Sequence, residues 1–450
     1  MATTPALAVC GTAFHAPTTR GLEVLHDVTV GVDAAGTIVA IAPNGSSAAA
    51  ELVAGAAAVE RLTGSQRLLP GLVDLHIHAP QWPQLGTGLD LPLEEWLLEH
   101  TFPLEARYAD ERFAESVWEH IVPTLLGCGT TTAVYYSSIH ERATEMLAEQ
   151  CVRSGQRAFV GRVGMDHPQG TPEWYRDGSA TAGIDASARS VDAIRRVAGR
   201  DPLVQPILTP RFVPACTDEL LRGMGELAAS TGVRVQTHCS ESDWQHRESI
   251  ARYGRSDAAA LDSFGLVRRG SVLAHGDLLG DEDLALIVDR GAGIAHCPLS
   301  NAYFGNAVFP TRHALTRGVQ VGLGTDVAGG AHPGLLSQCA MAVTASRMLE
   351  DGVDAAQPSA HRGRDGSRID IGTAFHLATA GGAAVLGIPV GSFSVGYHFD
   401  AIVVDTAASN IGLRCWDDID SEQGVFEKIV RLAGPAELTA VWVAGRRLVG

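Results

Sequence analysis

The stretch LLPGLVDLHIH, at residues 68–78, decides the fold, because an apolar run typical of a buried strand ends in two histidines. Residues two apart on a strand point to the same face, so His76 and His78 can reach one ion. Later strand-like runs place His238, His275 and Asp326 at similar ends. Imidazole and carboxylate donors suit a catalytic metal site, because they can hold zinc and leave a coordination position for water. The pattern indicates metal-dependent hydrolysis.

Apolar runs and helix-period segments alternate along most of the chain, which predicts an α/β fold of the (β/α)8 TIM-like barrel type. The eight predicted strands are residues 68–78, 130–137, 158–165, 203–210, 234–238, 271–275, 292–297 and 320–325. The predicted helices at residues 111–126, 141–154, 217–231 and 281–290 are each followed by a glycine placed like a helix stop. The candidate polar residues follow the carboxyl ends of the predicted strands, where barrel active sites are built.

The two ends of the chain differ from its middle, because they contain short alternating runs separated by turns. We expect these ends to join in one small β-sandwich. The predicted organisation places residues 1–66 and 389–450 in the sandwich and residues 67–388 in the barrel. Residues 351–368 are polar and rich in small side chains, so we expect an exposed loop and assign it no function.

Composition excludes some classes of protein. The chain has 450 residues, of which 46% are apolar, and its formal charge of −17 argues against binding to a nucleic acid backbone. The eight cysteines are scattered, so we expect reduced thiols, and the absence of a signal-like or bilayer-length apolar segment predicts a cytoplasmic protein with no membrane partner. The single lysine, Lys428, excludes a barrel lysine that could form a Schiff base or a carbamate bridging two metals.

Eight segments carry a resemblance to a known family. They are PGLVDLHIHAPQW at 70–82, LPLEEWL at 91–97, TFPLE at 101–105, TPRF at 209–212, HCSE at 238–241, AHG at 274–276, AHCP at 295–298 and GTDVAGG at 324–330. With these segments the chain resembles the amidohydrolase superfamily over nearly its whole length, and within it the aminohydrolases that act on guanine. The resemblance implies a small-molecule purine substrate, release of xanthine and ammonia in purine catabolism, and a homodimer.

The candidate metal ligands are His76, His78, His238 and Asp326, which would hold one zinc ion per chain, although the same donors also accept iron. Bound zinc lowers the pKa of its water to about 7, so that hydroxide becomes available at neutral pH. The predicted catalytic residues are Glu241, Asp326 and His275. Glu241 would protonate a ring nitrogen, Asp326 would act as the base, and His275 would stabilise the developing charge.

The resemblance further implies a substrate-binding set of Gln81, Trp82, Arg211, Phe212 and His238. Arg211 offers fixed donors to a carbonyl oxygen or ring nitrogen, Gln81 can donate and accept, and Trp82 could stack on the base. Other interpretations stay open, because each of these residue types has a common structural use. Glu241 could cap the following helix, Arg211 could pair with a carboxylate at the barrel mouth, and Gln81 could close a turn. Trp82 and Phe212 could serve packing alone, and His296 and Asn301 are expected to be structural.

Two other activities and one noncatalytic function compete with guanine hydrolysis. The same hydrolytic residues would act on a related cyclic amidine, such as ammeline, another triazine or a pterin. A noncatalytic amidohydrolase-like scaffold is disfavoured, because every candidate ligand and Glu241 are present. A nucleic-acid-editing deaminase is also disfavoured, since the sequence lacks the histidine, glutamate and paired-cysteine pattern of that zinc fold.

Overall fold

The computed structural model describes residues 5–200, 203–305, 307–408, 412–416 and 418–450. It contains two sheets, one parallel and one largely antiparallel. The parallel sheet is a barrel of eight strands in the order β6-β7-β8-β10-β11-β12-β13-β14, with the short β9 paired to β10. Backbone hydrogen bonds join the last strand region to the first, because Asp326 N donates to His76 O at 2.8 Å and His78 N donates to Val327 O at 2.7 Å. The predicted TIM-like barrel is confirmed.

The barrel strands are β6 (Leu72–His78), β7 (Thr130–Tyr136), β8 (Arg157–Gly161), β9 (Val163–Gly164), β10 (Val204–Pro210), β11 (Arg234–Cys239), β12 (Val272–His275), β13 (Gly293–His296) and β14 (Gln320–Leu323). The strands of the second sheet are β1 (Leu7–His15), β2 (Glu23–Val32), β3 (Ile38–Pro43), β4 (Ala58–Arg61), β5 (Gln66–Pro70), β15 (Ala401–Asp405), β16 (Leu438–Val443) and β17 (Arg446–Val449). All eight predicted barrel strands are present, within a few residues at each end.

The α-helices are α1 (Ser47–Gly55), α2 (Leu93–Trp96), α3 (Phe102–Ala106), α4 (Glu111–Gly127), α5 (Glu141–Ser154), α6 (Ala180–Ala198), α7 (Asp218–Thr231), α8 (Asp243–Tyr253), α9 (Asp257–Ser263), α10 (Asp281–Arg290), α11 (Pro298–Ser300), α12 (Thr311–Thr316), α13 (Leu335–Asp351), α14 (Ile371–His376), α15 (Gly382–Leu386) and α16 (Glu422–Leu432). Short 3-10 turns lie at Ala79–Gln84, Arg107–Ala109, Val213–Ala215 and Ser359–His361, and π-helical turns lie at Leu97–Thr101, Asn301–Gly305 and Leu377–Gly381. No helix in the described part of the chain is long and apolar enough to cross a bilayer.

The first predicted strand, residues 68–78, is in fact two strands that belong to different sheets. The chain leaves the terminal sheet at Pro70 and enters the barrel at Leu72. Gly71 lies at this change, and a Cβ there would meet Thr131 Oγ1 at 2.2 Å, so a larger residue would not fit. The Gly71 N–H donates to the backbone oxygen of Asp400 at 2.9 Å. Uniform hydrophobicity hid this change of sheet, because both halves of the run are buried.

Strands from both ends of the chain share the second sheet, as predicted. Its order is β17-β16-β15-β5-β1-β2-β3, with β4 paired to β1, so hydrogen bonds run through all eight strands without a break. One apolar core joins both termini, and it includes Val9, Val30, Val403 and Trp442. The domain limits at residues 66/67 and 388/389 stay a prediction, and residues 1–4, 409–411 and 417 of the terminal segments lie outside the described residues.

The largest feature that the hydrophobic pattern did not predict is the segment between β6 and α4. It folds into the turns at Ala79–Gln84 and Leu97–Thr101 together with α2 and α3. Several of its side chains are fully or nearly buried at the carboxyl end of the barrel, including those of Gln81 and Glu105. By contrast, residues 351–368 form the exposed loop that composition predicted, with one short turn at Ser359–His361.

Candidate active site

Four side chains converge at the carboxyl ends of the barrel strands. His78 Nε2 lies 3.0 Å from His238 Nε2, and Asp326 Oδ1 lies 3.1 Å from His76 Nε2 and 3.5 Å from His78 Nε2. All four residues are buried. Nitrogen and oxygen donors from opposite sides of the barrel therefore face one another around a common centre, as the strand-end pattern predicted.

Electrostatics and unpaired atoms both fit a metal ion at this centre. Burial, followed by nearby positive groups, lowers the pKa of His76, His78 and His238 well below the usual histidine value. Their rings are therefore neutral, and each has a nitrogen lone pair that can bind a metal ion. The Nε2 atoms of His76 and His275 are buried and lack hydrogen-bond partners among the described residues. Buried polar atoms without partners are costly, and metal coordination is one way to satisfy them. The donor set thus fits a divalent metal.

Left-handed backbone conformations mark three of the strand ends that form the site. Ser240, His275 and Asp326 have φ angles of 52°, 76° and 49°, and they are three of the five described non-glycine residues with positive φ. Such conformations cost free energy in residues that carry a Cβ, and they cluster at functional sites. The strain therefore agrees with the position of the histidine and carboxylate cluster.

Asp74 joins the two strands that carry the first and last candidate ligands. Its Oδ1 accepts hydrogen bonds from His76 N at 3.2 Å and Thr325 N at 3.0 Å, and its Oδ2 accepts one from Thr325 Oγ1 at 2.6 Å. Burial raises the pKa of Asp74 to about 7, although these hydrogen bonds oppose the shift. No function was predicted for Asp74, although a charged residue between the apolar residues of a buried strand was an available signal.

Glu241 lies beside this cluster and does not cap the following helix. Helix α8 begins at Asp243, and Ser242 caps it by accepting a hydrogen bond from Gln245 N. The alternative interpretation of Glu241 as a helix cap is therefore wrong. Its Oε1 lies 3.7 Å from His275 Nε2. Burial first, and then the negative charge of Asp326, raise the pKa of Glu241 well above its usual range, which favours a carboxylic acid that can donate a proton.

Hydrogen bonds from α8, α9 and the π-helical turn Asn301–Gly305 hold two residues beside Glu241, namely Ser240 and His275. Asp257 Oδ2 accepts hydrogen bonds from Ser240 N at 3.0 Å and from Gln245 Nε2 at 2.6 Å. His275 Nδ1 donates to Asn301 Oδ1 at 2.9 Å, which turns Nε2 toward Glu241 and Asp326. Asn301 was expected to be structural, and it lies in direct contact with the candidate catalytic residue His275.

Arg211 and Gln81 meet at a buried carboxylate, Glu105. The Arg211 guanidinium forms two hydrogen bonds to Glu105, at 2.6 and 3.1 Å, and Gln81 Nε2 donates to Glu105 Oε1 at 3.0 Å. The alternative interpretation of Arg211, that it pairs with a carboxylate at the barrel mouth, is therefore correct. The pairing does not exclude contact with a substrate, because Arg211 also lines the cavity. Burial opposes the charged form of Arg211, but Glu105 favours it and the net pKa is raised.

A cavity connects Gln81 and Arg211 to the histidine cluster. Its lining residues are His78, Gln81, Leu93, Trp96, Leu97, Arg211, Phe212, His238, Glu241, Phe304, Asp326 and Gly329. Trp82 is not among them, because its indole N–H donates to His120 Nδ1 at 3.0 Å and its ring packs against the core around α4. The prediction that Trp82 stacks on a base is wrong for this geometry. Trp96 and Phe304, whose ring centroids are 5.1 Å apart, provide the aromatic wall instead.

Three residues at or beside the cavity were not predicted from the sequence: Glu105, Trp96 and Phe304. Glu105 and Trp96 lie in the quoted segments at 101–105 and 91–97, which supported the family resemblance but received no function. Phe304 follows the seventh barrel strand on the π-helical turn Asn301–Gly305. Irregular segments of this kind have no hydrophobic period, so the pattern could not show which of their side chains face the cavity.

The model of the amidohydrolase family matches residues 67–448. The chain belongs to the amidohydrolase family. The family is metal-dependent, and overlapping groups of buried donor atoms fit such a site: His76 with His78 and His238, and His76 with His275 and Asp326. This membership confirms the resemblance that the quoted segments carried.

Named relatives within the amidohydrolase family are similar over most of the chain. A protein of Schizosaccharomyces pombe named probable guanine deaminase is 37% identical over 398 residues, covering 88% of this chain and 73% of its own length. Guanine deaminase of Mus musculus is 34% identical over 459 residues, covering 100% of this chain and 98% of its own. The crystal structure of guanine deaminase from C. acetobutylicum, with bound guanine in the active site, has a TM-score of 0.86, 27% identity and coverage of 98% and 99%.

Proposed function

We propose that this chain is a metal-dependent aminohydrolase that converts guanine to xanthine and ammonia, as part of purine catabolism. The observation that carries the proposal is that one buried cavity joins the histidine and aspartate cluster, Glu241, and the polar edge formed by Gln81 and Arg211. Its enzyme class is that of hydrolases acting on the C–N bonds of cyclic amidines. The names of the relatives and the substrate bound in the C. acetobutylicum structure support this choice.

The proposed metal is one zinc ion per chain, held by His76, His78, His238 and Asp326. Three neutral imidazoles and one carboxylate form a donor set that zinc accepts. A zinc ion held by these residues would lower the pKa of its water to about 7 and would so supply hydroxide at neutral pH. One ion is proposed because the only lysine is Lys428, on α16, which leaves no barrel lysine for a bridging carbamate.

The proposed proton movements use Glu241, Asp326 and His275. Glu241 gives its proton to the ring nitrogen beside the amino-bearing carbon while a C–O bond forms at that carbon. Asp326 accepts the proton of the attacking water, and His275 stabilises the charge on the new oxygen. Glu241, now a carboxylate, takes the proton of the new C–OH group and passes it to the amino group. The C–N bond breaks as the C=O bond forms, ammonia leaves, and the water proton held by Asp326 returns to Glu241. The raised pKa of Glu241 supports its proton-donor function.

The proposed recognition residues are Gln81, Arg211, Phe212 and His238, all of which line the cavity. Arg211 and Gln81 supply hydrogen bonds to the carbonyl oxygen and ring nitrogens of the purine. Phe212 packs against His238, with ring centroids 5.8 Å apart. Its ring would thus form one side of the part of the cavity that holds the planar base. Trp96 and Phe304, which line the cavity, are proposed in place of Trp82 as the aromatic residues that contact the base.

We further propose a cytoplasmic homodimer. All eight cysteines are unpaired, which agrees with a reducing compartment. The homodimer follows from the family resemblance and is tested by light scattering during size-exclusion chromatography. We also propose a division of the chain into a barrel of residues 67–388 and a terminal unit of residues 1–66 and 389–450. The two sheets support this division except at residues 67–70, which lie on β5 of the terminal sheet.

An ammonia-release screen tests the function. Purified protein with measured metal content is assayed against guanine, adenine, cytosine, ammeline and a pterin. We expect guanine to give the highest kcat/KM by at least about tenfold. A higher kcat/KM for ammeline or the pterin would reject guanine as the substrate while leaving the hydrolytic mechanism standing. Absence of ammonia release from every compound by the metal-loaded protein would favour a noncatalytic scaffold.

A further inference from the structure

Glu105 accepts four hydrogen bonds from three side chains. Its Oε1 accepts from Gln81 Nε2 at 3.0 Å and from Arg211 at 3.1 Å, and its Oε2 accepts from Arg211 at 2.6 Å and from Tyr175 Oη at 2.9 Å. A carboxylate has about four acceptor positions, so Glu105 is saturated. The side chain is fully buried, and it contacts none of the four candidate ligands in these bonds. Its position therefore bears on the polar edge of the cavity rather than on the metal cluster.

These contacts fix which groups of Gln81 and Arg211 stay free. The Gln81 amide nitrogen donates to Glu105, and its oxygen accepts from Ala328 N at 3.3 Å, so the two ends of the amide cannot exchange. Two of the five N–H groups of Arg211 are held by Glu105, and no other side-chain hydrogen bond of Arg211 is found in the described residues. The remaining N–H groups are available to a ligand.

The positive charge of the buried Arg211 guanidinium also requires the Glu105 carboxylate as its partner. Arg211 is nearly fully buried, with its guanidinium 4.9 Å from the ring centre of Phe102, and Glu105 neutralises it in a bidentate pair. A buried guanidinium without this partner would favour an anionic ligand. With Glu105 in place, the edge is neutral overall and rich in fixed donors, which suits the carbonyl oxygen and ring nitrogens of an uncharged base.

We propose that Glu105 is the positioning residue that sets selectivity for a neutral purine carrying a carbonyl group, by holding Arg211 and Gln81 in one donor pattern. This inference rests on the proposed function. It assigns Glu105 to substrate recognition and not to the chemical step. Removal of a group of this kind raises KM, whereas removal of a group used only in the transition state lowers kcat.

Glu105→Gln tests the proposal. The amide retains one oxygen acceptor and places an NH2 donor against other donors, so Arg211 and Gln81 lose their fixed arrangement. We expect the KM for guanine to rise at least about tenfold, with kcat within about threefold and metal content unchanged. The ratio of kcat/KM for guanine to that for 2-aminopurine, which lacks the carbonyl, should fall at least about tenfold. Glu105→Asp retains the carboxylate and should lose less on both measures.

A pair of tyrosine variants tests the same point if Glu105→Gln fails to unfold cooperatively. Tyr175→Phe removes one of the four bonds to Glu105, and Tyr108→Phe removes a buried bond of 2.8 Å to the backbone oxygen of Pro80 in the same region. We expect Tyr175→Phe to raise the KM for guanine by about threefold or more, with kcat nearly constant. Tyr108→Phe should leave both constants within about twofold.

The outcomes separate this inference from the proposed function. Wild-type protein that releases no ammonia from guanine would reject the proposed function on its own, and the inference with it. An active wild type together with unchanged KM and unchanged selectivity in Glu105→Gln would overturn the inference alone. Loss of metal and of kcat in parallel would also overturn it, because that result assigns Glu105 to structural support. If the tyrosine pair is needed, equal constants in Tyr175→Phe and Tyr108→Phe would have the same meaning.

Discussion

The backbone oxygen of Arg211 accepts a 2.6 Å hydrogen bond from Nδ1 of His238. Because this bond fixes the proton on Nδ1, the Nε2 lone pair of His238 faces the cluster and is 3.0 Å from His78 Nε2. Arg211 thus orients a candidate ligand with its main chain and lines the cavity with its side chain. A change of the Arg211 side chain leaves the main-chain bond in place, so metal binding and base recognition can be separated.

Arg211→Ala should therefore retain metal while losing guanine recognition. We expect kcat/KM for guanine to fall at least about 100-fold, since hydrogen bonds to a charged group are worth about 1.5–3 kcal/mol each. Arg157→Ala is the matched control, because Arg157 forms a similar buried bidentate pair with Asp400, at 3.0 and 3.1 Å, away from the cavity. Both variants should lose stability, but only Arg211→Ala should lose guanine turnover; equal kinetics in the two would reject the recognition function.

Glu241→Gln should lower kcat by about 10²–10⁴-fold, because the amide cannot deliver a proton to the ring nitrogen. Metal content and the KM for guanine should change little. Glu437→Gln, which alters another buried carboxyl whose side chain accepts from Gly434 N at 2.8 Å, should leave kcat unchanged. Steady-state kinetics and metal analysis on the same preparations give both results, and near-normal turnover by Glu241→Gln would assign the proton transfer to another group.

Asn301→Ala should reduce kcat by about 10–100-fold, because His275 loses the acceptor that turns its Nε2 toward the cavity. Gln156→Ala serves as the control, since Gln156 also makes two buried hydrogen bonds, one from Tyr135 Oη at 2.8 Å and one to Thr130 O at 2.9 Å. The two variants should have comparable losses in unfolding free energy. If they also had the same kcat, Asn301 would have only a structural function.

Asp257→Asn should change the pH dependence of stability. Burial raises the pKa of Asp257 to about 6, despite the opposing hydrogen bonds from Ser240 and Gln245, compared with 3.8 for an ordinary aspartate. The folded state then binds more protons than the unfolded state between these values, so Asp257 lowers stability as pH rises from about 4 to about 6. Denaturant unfolding across this range should give a slope that is less negative in the variant than in the wild type, by up to roughly 3 kcal/mol in total. Parallel curves would contradict the shift.

Removal of metal should abolish ammonia release and lower the thermal unfolding midpoint, because an ion bound only by the folded state stabilises it by about 4 kcal/mol at 1,000 times its Kd. One equivalent of zinc per chain should restore both properties. His78→Ala, which removes one donor, should not recover with added zinc. A reproducible requirement for two ions per chain would overturn the single-ion proposal.

Much of the barrel could be predicted because its signals are local. The bounds of α5 and α10 agree with the predicted segments, and Gly155 and Gly291 follow them with φ angles of 72° and 67°, as left-handed helix ends require. The change of sheet at Gly71 could not be predicted, since burial on both sides of that glycine gives one continuous apolar run. Thr131 leaves no room for a Cβ at this position, and no local pattern records such a tertiary contact.

The candidate site divides in the same way. His76, His78, His238, His275 and Asp326 could be found because each comes at the end of a barrel strand, and the barrel brings such ends together. Glu105 and Trp96 could not, because they lie on α3 and α2, which are too short to show a hydrophobic period. Trp82 was assigned to the substrate because its ring could stack on the base, but the 3-10 turn at Ala79–Gln84 directs Trp82 and Gln81 to different surroundings.

The tight passage at Gly71 also limits how the gene can be shortened. Only five residues, 71–75, lie between Pro70 and His76. Pro70 is on β5, which pairs with β15, and Gly71 alone separates β5 from the first barrel strand. Deleting either end of the coding sequence would strip neighbours from β5 and release the start of the first barrel strand. A truncated protein would then be inactive because β6 is no longer held in place, whether or not the deleted residues take part in catalysis. The catalytic groups of this enzyme should therefore be identified by point substitutions and not by truncation.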